Sequence, residues 1–216
     1  MAECNDTERV AGLGILAEAA PSDDTDNAIL DAARDCVLEV GVRRTSLSDV
    51  ARRAGVSRPT VYRRWRDLRA LVADLMTREL AGVFAAAAPD QAGSVLQRAV
   101  SHSISVASML RAHPLLTKII QVDPEMLQTY IFDRLGTSQR MAVGYIAGWI
   151  RAGQRDGSIR PGDVDAMAVT VLLALQSSVL STGLTAGLMT PRQRDEELAR
   201  LLTSYLSPPA APGGQA

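Results

Sequence analysis

Between residues 43 and 69 the sequence places nine arginines, at 43, 44, 52, 53, 58, 63, 64, 66 and 69, against two carboxylates, Asp49 and Asp67. That is a local charge of +7 on a chain of net charge −1, so the remainder sums to −8. Guanidinium groups at this density hydrogen-bond phosphates and guanine edges, often two bonds at a time. A near-neutral protein with one strongly basic stretch reads as a scaffold presenting a single polyanion-binding surface. Arg58, Thr60 and Arg63 are the side chains expected to read base edges: two guanidinium forks for O6 and N7 of guanine, and a hydroxyl or methyl for a neighbouring base. Arg44, Thr45, Tyr62 and Arg66 are expected on phosphates, where they fix register without specifying sequence.

These side chains need two short helices and a sharp turn, and the same stretch supplies the signals for them. Ser46 can cap a first helix and Asp49, three residues on, completes a capping box at the positive helix end. Leu47, Val50, Ala51 and Ala54 recur at helical spacing on one face. Gly55 follows where the chain must reverse, a place that calls for the left-handed conformation glycine enters freely. Ser57 can cap the second helix, Pro59 falls in its first turn, and Val61 and Trp65, four apart, point back to the first helix. The pattern is a helix-turn-helix whose outward face carries Arg58, Thr60, Tyr62 and Arg63.

With Thr45, Val50, Ala51, Ala54, Gly55, Val56, Ser57, Val61, Tyr62, Trp65 and Leu71 in these places, the segment resembles the DNA-binding domain of TetR-family transcriptional regulators. The resemblance covers about a quarter of the chain, counting the preceding helix. It departs at two positions: the family pattern has Phe where this chain has Trp65, and a phosphate-binding Lys where it has Leu68, a contact that Arg66 or Arg69 would then replace. The resemblance implies a two-fold dimer with two recognition helices in successive major grooves of a near-palindromic double-stranded DNA operator. It also implies a helical C-terminal domain that pairs its last two helices with a second copy, and repression as the commoner mode.

The rest of the sequence predicts an all-α chain: an N-terminal three-helix DNA-binding domain followed by a larger helical dimerisation and ligand-binding domain. Aromatics are few and Ala, Leu, Arg and Glu abundant, which favours helix. Ile29, Ala32, Ala33, Cys36, Val37 and Val40 predict a helix over about 26–40 that stops at Gly41. Further helices are expected at about 67–87, 91–111, 114–121, 124–134, 137–156, 163–184 and 191–206, each bounded by a cap or a proline, with Asp123-Pro124 marking one start. The domain limits read as a disordered extension at 1–24, a DNA-binding domain at 25–70, a regulatory domain at 71–206 and a Pro/Gly-rich tail at 207–216. Acidic residues precede the apolar stretch 10–20, unlike a secretory signal, and no apolar run reaches the ~18 residues of a membrane span. A cytoplasmic protein with no membrane partner is the expectation. Cys4 and Cys36 have no motif spacing, and His102 and His113 have no ligand-spaced partner, so no disulfide, metal or cofactor is expected. No GxxxxGK[ST], GxSxG or HExxH motif occurs, and no enzyme is expected.

Two surfaces of the C-terminal part complete the reading. Ala174, Ser178 and Thr182 recur every four residues beside apolar neighbours, and Leu198 and Leu202 stripe the last helix, so these five are expected at a homodimer interface, or else in the chain's own core. Aromatic residues crowd between 130 and 149. Met109, His113, Ile120, Met126, Tyr130, Tyr145 and Trp149 are expected to line a mostly apolar pocket for a small-molecule effector, with ordinary core packing as the competing reading. The alternative is a DNA-binding protein without such a ligand, its C-terminal body serving dimerisation or partner docking.

Overall fold

Asp23 accepts a hydrogen bond from the Thr25 amide and opens α1 (Asp24–Val40). The computed structural model describes residues 23–87, 92–128 and 135–209, and among them holds helices and no strand. After α1 come α2 (Leu47–Arg53), α3 (Arg58–Arg64), α4 (Leu68–Ala86), α5 (Val95–Arg111), α6 (Pro114–Val122), α7 (Glu125–Gln128), α8 (Thr137–Arg155), α9 (Val164–Leu180) and α10 (Pro191–Leu206). The extension and tail read at 1–24 and 207–216 lie largely outside the described residues. No helix among the described residues is long and apolar enough to cross a membrane.

Contacts divide the chain into two compact units. The described residues of Gly14–Ala85 and Leu110–Met141 form one, and those of Ala86–Met109 and Ala142–Ala216 the other. The first unit therefore extends beyond the limit of residue 70 read for the DNA-binding domain. Its core explains why: Ile29, Leu30 and Val37 of α1, Val50 of α2, Val61 of α3 and Leu71 and Leu75 of α4 enclose Leu115 and Ile119 of α6, all essentially inaccessible. Three short helices expose too much of their own apolar surface, and α4 and α6 cover it. A polar cluster ties the same helices: Glu79 of α4 faces Arg34 of α1 at 3.6 Å and His113, the residue before α6, at 3.2 Å. At the far end of α3 the indole N–H of Trp65 donates to Asp74 Oδ2 of α4 at 2.8 Å, a bond that a phenylalanine could not make.

In the second unit α9 packs on α10, and Arg160 holds the end of α10 by donating its amide to Leu206 O and its Nε–H to Tyr205 O, both at 2.8 Å. His102 of α5 is buried and its Nδ1–H donates to Ala87 O at 2.5 Å. Two helix limits differ from the sequence reading. α5 starts at Val95 because Gly93 takes φ 88 and Ser94 and Gln97 cap each other. The end read at 134 for α7 lies outside the described residues. α9 stops at Leu180, short of 184, as Thr182 and Thr185 turn their hydroxyls onto the carbonyls of Val179 and Ser181, a competition that loosens helix backbone.

Two outcomes follow. Trp65→Phe, which installs the family's usual aromatic, is expected to cost about 1–2 kcal/mol in urea melts through loss of a bond to a charged acceptor. The same change in an Asp74→Ala background should then cost clearly less, and equal losses in both would show that the bond is not the cause. Burial lowers the pKa of His102 from its ordinary value, so the unfolded chain takes up this proton at a higher pH than the folded one. Stability is therefore fully present above about pH 6.5 and falls as the pH drops below it. Melts between about pH 7.5 and pH 5 should show this slope reduced in His102→Gln, and an unchanged slope would assign it to other groups.

Candidate nucleic-acid interface

The helix-turn-helix forms as its local signals require. The Ser46 side chain accepts the Asp49 amide, and its hydroxyl donates to Asp49 Oδ2 at 2.6 Å. That bond and Arg52 hold the Asp49 carboxyl below its ordinary range, so it stays ionised at the positive end of α2. Gly55 turns the chain at φ 67. Ser57 caps α3 by accepting the Thr60 amide, Pro59 occupies the first turn, and Val61 and Trp65 are buried against α2 and the core. Facing away are Arg58, Arg63 and Tyr62, the last 52% exposed.

Ion pairing divides the nine arginines into two groups. Arg43 lies 3.6 Å from Glu125, Arg52 3.1 Å from Asp49, Arg53 2.7 Å from Glu39, and Arg66 3.2 Å from Asp67, while Arg64 pairs with Asp23 and Asp26. The Arg53 partner is held below the ordinary carboxylate range by that contact, which keeps the pair charged. Arg44, Arg58, Arg63 and Arg69 are exposed and have no acidic partner among the described residues. The uncompensated positive charge is thus concentrated on α3, on the turn before α2 and at the start of α4.

This arrangement refines the residues expected from sequence. Arg58, Arg63, Tyr62 and Arg44 stand exposed as a DNA-facing role requires. Thr60 is half-buried and its hydroxyl lies 2.7 Å from Ser57 Oγ. Thr45 is corrected: it is buried, its hydroxyl donates to Gly41 O at 2.8 Å and its amide to Val42 O at 3.1 Å, so it builds the turn and has no donor left for a phosphate. Arg66 pairs with its neighbour Asp67 at 3.2 Å. Leu68 packs on the core, and of the two replacements for the missing lysine Arg69 is the one without an acidic partner.

The residues expected around a pocket fall into both units. His113, Ile120 and Met126 belong to the first, where Met126 packs on the core of the helix-turn-helix. Tyr145 and Trp149 belong to the second and are brought together, ring centres 6.3 Å apart, with two residues the sequence reading left out: His102, 5.2 Å from Tyr145, and Arg98, whose guanidinium lies 5.8 Å from the Trp149 ring. Met109 is exposed, and Tyr130 lies outside the described residues. At the expected dimer face Ala174 and Ser178 are half-buried on α9, and Thr182 lies beyond the helix end. Leu198 and Leu202 fall on the second of their two readings, filling the chain's own core at 7% and 1% exposure, while Leu173 on α9 and Leu201 on α10 point outward at 52% and 53%. A helical stripe looks alike whether it packs within a chain or between chains, and the spacing alone did not separate them.

The sequence model of the bacterial regulatory proteins of the tetR family matches residues 29–75, from α1 to the first half of α4. The uncharacterised HTH-type transcriptional regulator Rv2250c of Mycobacterium tuberculosis is 38% identical over 183 residues, 85% of this chain and 95% of that one. The corresponding protein of Mycobacterium bovis, Mb2274c, matches equally. Among solved structures, FadR from Bacillus subtilis in complex with stearoyl-CoA superposes with a TM-score of 0.61 at 17% identity, covering 83% of this chain and 98% of that one. The SmeT–triclosan complex superposes at 0.59 and 18%, covering 87% and 94%. These two likenesses are of fold. With the family model on the helix-turn-helix and relatives matched over nearly their whole length, the chain belongs to the TetR family of bacterial transcriptional regulators.

Proposed function

We propose that this regulator is a repressor that binds a near-palindromic operator as a homodimer and leaves it when a small, mostly apolar ligand binds. The observation that carries the DNA half of the reading is the charge sorting: five arginines are spent on carboxylates of the same chain, and the four left without an acidic partner cluster on and beside α3. Arg58 and Arg63 on the exposed face of α3 read bases, and Arg44 and Arg69 hold phosphates. The dimer is supported by Leu173 and Leu201, half-exposed on two helices that pack together. The ligand half is supported by fold neighbours that hold triclosan and stearoyl-CoA, and by the Tyr145, Trp149 and His102 cluster as a place for an apolar group. Release requires the ligand to prefer the state that does not fit the operator, since equal affinity for both would release nothing.

Arg58→Ala should lose discrimination at one symmetric operator position, at about 1–3 kcal/mol per contact, whereas Arg69→Ala should weaken all operator variants alike and lower the salt slope by about 1. Arg52→Ala, whose charge Asp49 already offsets, should change little. Uniform weakening by Arg58→Ala would make that residue a phosphate contact instead. For the dimer, sedimentation should give twice the chain mass for the wild type and the single-chain mass for Leu173→Glu; a monomeric wild type at micromolar concentration contradicts the reading. In a thermal-shift screen of apolar small molecules, a compound that raises the melting temperature must also weaken operator binding. Tight binders that leave operator affinity unchanged would contradict ligand release.

A further inference from the structure

The turn that joins α1 to α2 is held by a side chain 81 positions away in sequence. The Val42 amide donates to Asp123 Oδ2 at 2.7 Å and the Arg43 amide to Oδ1 at 3.1 Å. Asp123 is fully buried and its own amide donates to Ile119 O, so it closes α6 with its backbone while its carboxylate is spent on the turn. The sequence reading took this aspartate as a helix start; the structure gives it a distant partner. Within the turn Thr45 bonds Gly41 O through its hydroxyl and Val42 O through its amide. Gly41 takes φ 85, and a Cβ there would stand 2.8 Å from Asp123 Oδ2 and 3.0 Å from Val122 Cγ1, so the approach demands glycine. Beside the turn, Arg43 meets Glu125, and Met126 and Leu127 pack on the core. Two amides on one buried carboxylate are charge-assisted and directional, with little room for another geometry.

We propose that Asp123 is a positioning residue for DNA recognition: by clamping the Val42 and Arg43 amides it fixes the direction in which α2 and α3 leave α1, and so the half-site spacing that the dimer accepts. This rests on the dimeric reading above. The side chain, being fully buried, acts on DNA only through the turn.

The test compares the full chain and Asp123→Asn on the selected operator and on versions with one base pair added or removed between the half-sites. One base pair shifts a half-site by about 3.4 Å and turns it by about 35°. Misplacing one half-site forfeits the gain from binding both, so the wild type should lose about 100-fold. Asp123→Asn sets an amide N–H against a backbone N–H and surrenders one of the two bonds; its spacing penalty should drop to about 10-fold or less. Should that variant fail to fold, Asp123→Glu, which displaces the carboxylate by a methylene, is read the same way. Ile150→Ala, a core truncation in the other unit, is the control for lost stability and should keep the wild-type penalty. A wild-type penalty in the Asp123 variants, or an equal relaxation in Ile150→Ala, overturns the assignment. A wild-type protein indifferent to spacing overturns the dimeric reading instead.

Discussion

A helix-turn-helix of two seven-residue helices cannot bury a core of its own, and the first unit is arranged around that shortage. α1 supplies Ile29, Leu30, Ala33 and Val37 as a floor, but Val50 and Val61 become inaccessible only within a cluster that also takes in Leu71 and Leu75 of α4 and Leu115 and Ile119 of α6. Each such side chain contributes about 1.5–3 kcal/mol by leaving water, so α6 is part of what folds the DNA-binding head. Its apolar stripe serves the head first, and Met126, which the sequence placed at a ligand pocket, follows it there.

Polar contacts then give that core a definite geometry. The Trp65 indole ties the end of α3 to α4, Arg64 ties it to the start of α1, and Asp123 holds the turn before α2. All three act where the recognition helix or its lead-in would otherwise pivot on apolar contacts, which have little directional preference. Charge is treated with the same economy. An arginine-rich surface that left all nine guanidinium groups unpaired would hold any DNA; pairing five of them inside the chain confines the strong field to the face that carries Arg58 and Arg63.

Local signals were legible in the sequence and distant pairings were not. Ser46 with Asp49, Gly55, Ser57 with Pro59, and the Val61 and Trp65 pair each act within a few residues, so spacing alone located α2, the turn and α3. Leu198 and Leu202 were recognisable as an apolar stripe, but whether the stripe faces α9 of its own chain or a second copy is a tertiary fact. Tyr145 and Trp149 were grouped because aromatic residues crowd between 130 and 149; His102 and Arg98 join them across more than 40 positions, a separation no local crowding reveals. Thr45 was read as a phosphate contact from its residue type, yet the carbonyl it bonds, Gly41 O, belongs to a turn that Asp123 holds from 81 positions away. The aspartate itself looked like any residue before a proline.

The measurement that tests this account most directly is a selection of genomic DNA fragments by the purified protein, sequenced and repeated at two salt concentrations. The account predicts enrichment of one inverted-repeat site with affinity falling steeply in salt, as expected when a few guanidinium groups displace counterions and two of them read bases. Salt-sensitive retention of fragments with no enriched site would contradict it, because the arginines on α3 would then hold DNA without reading it.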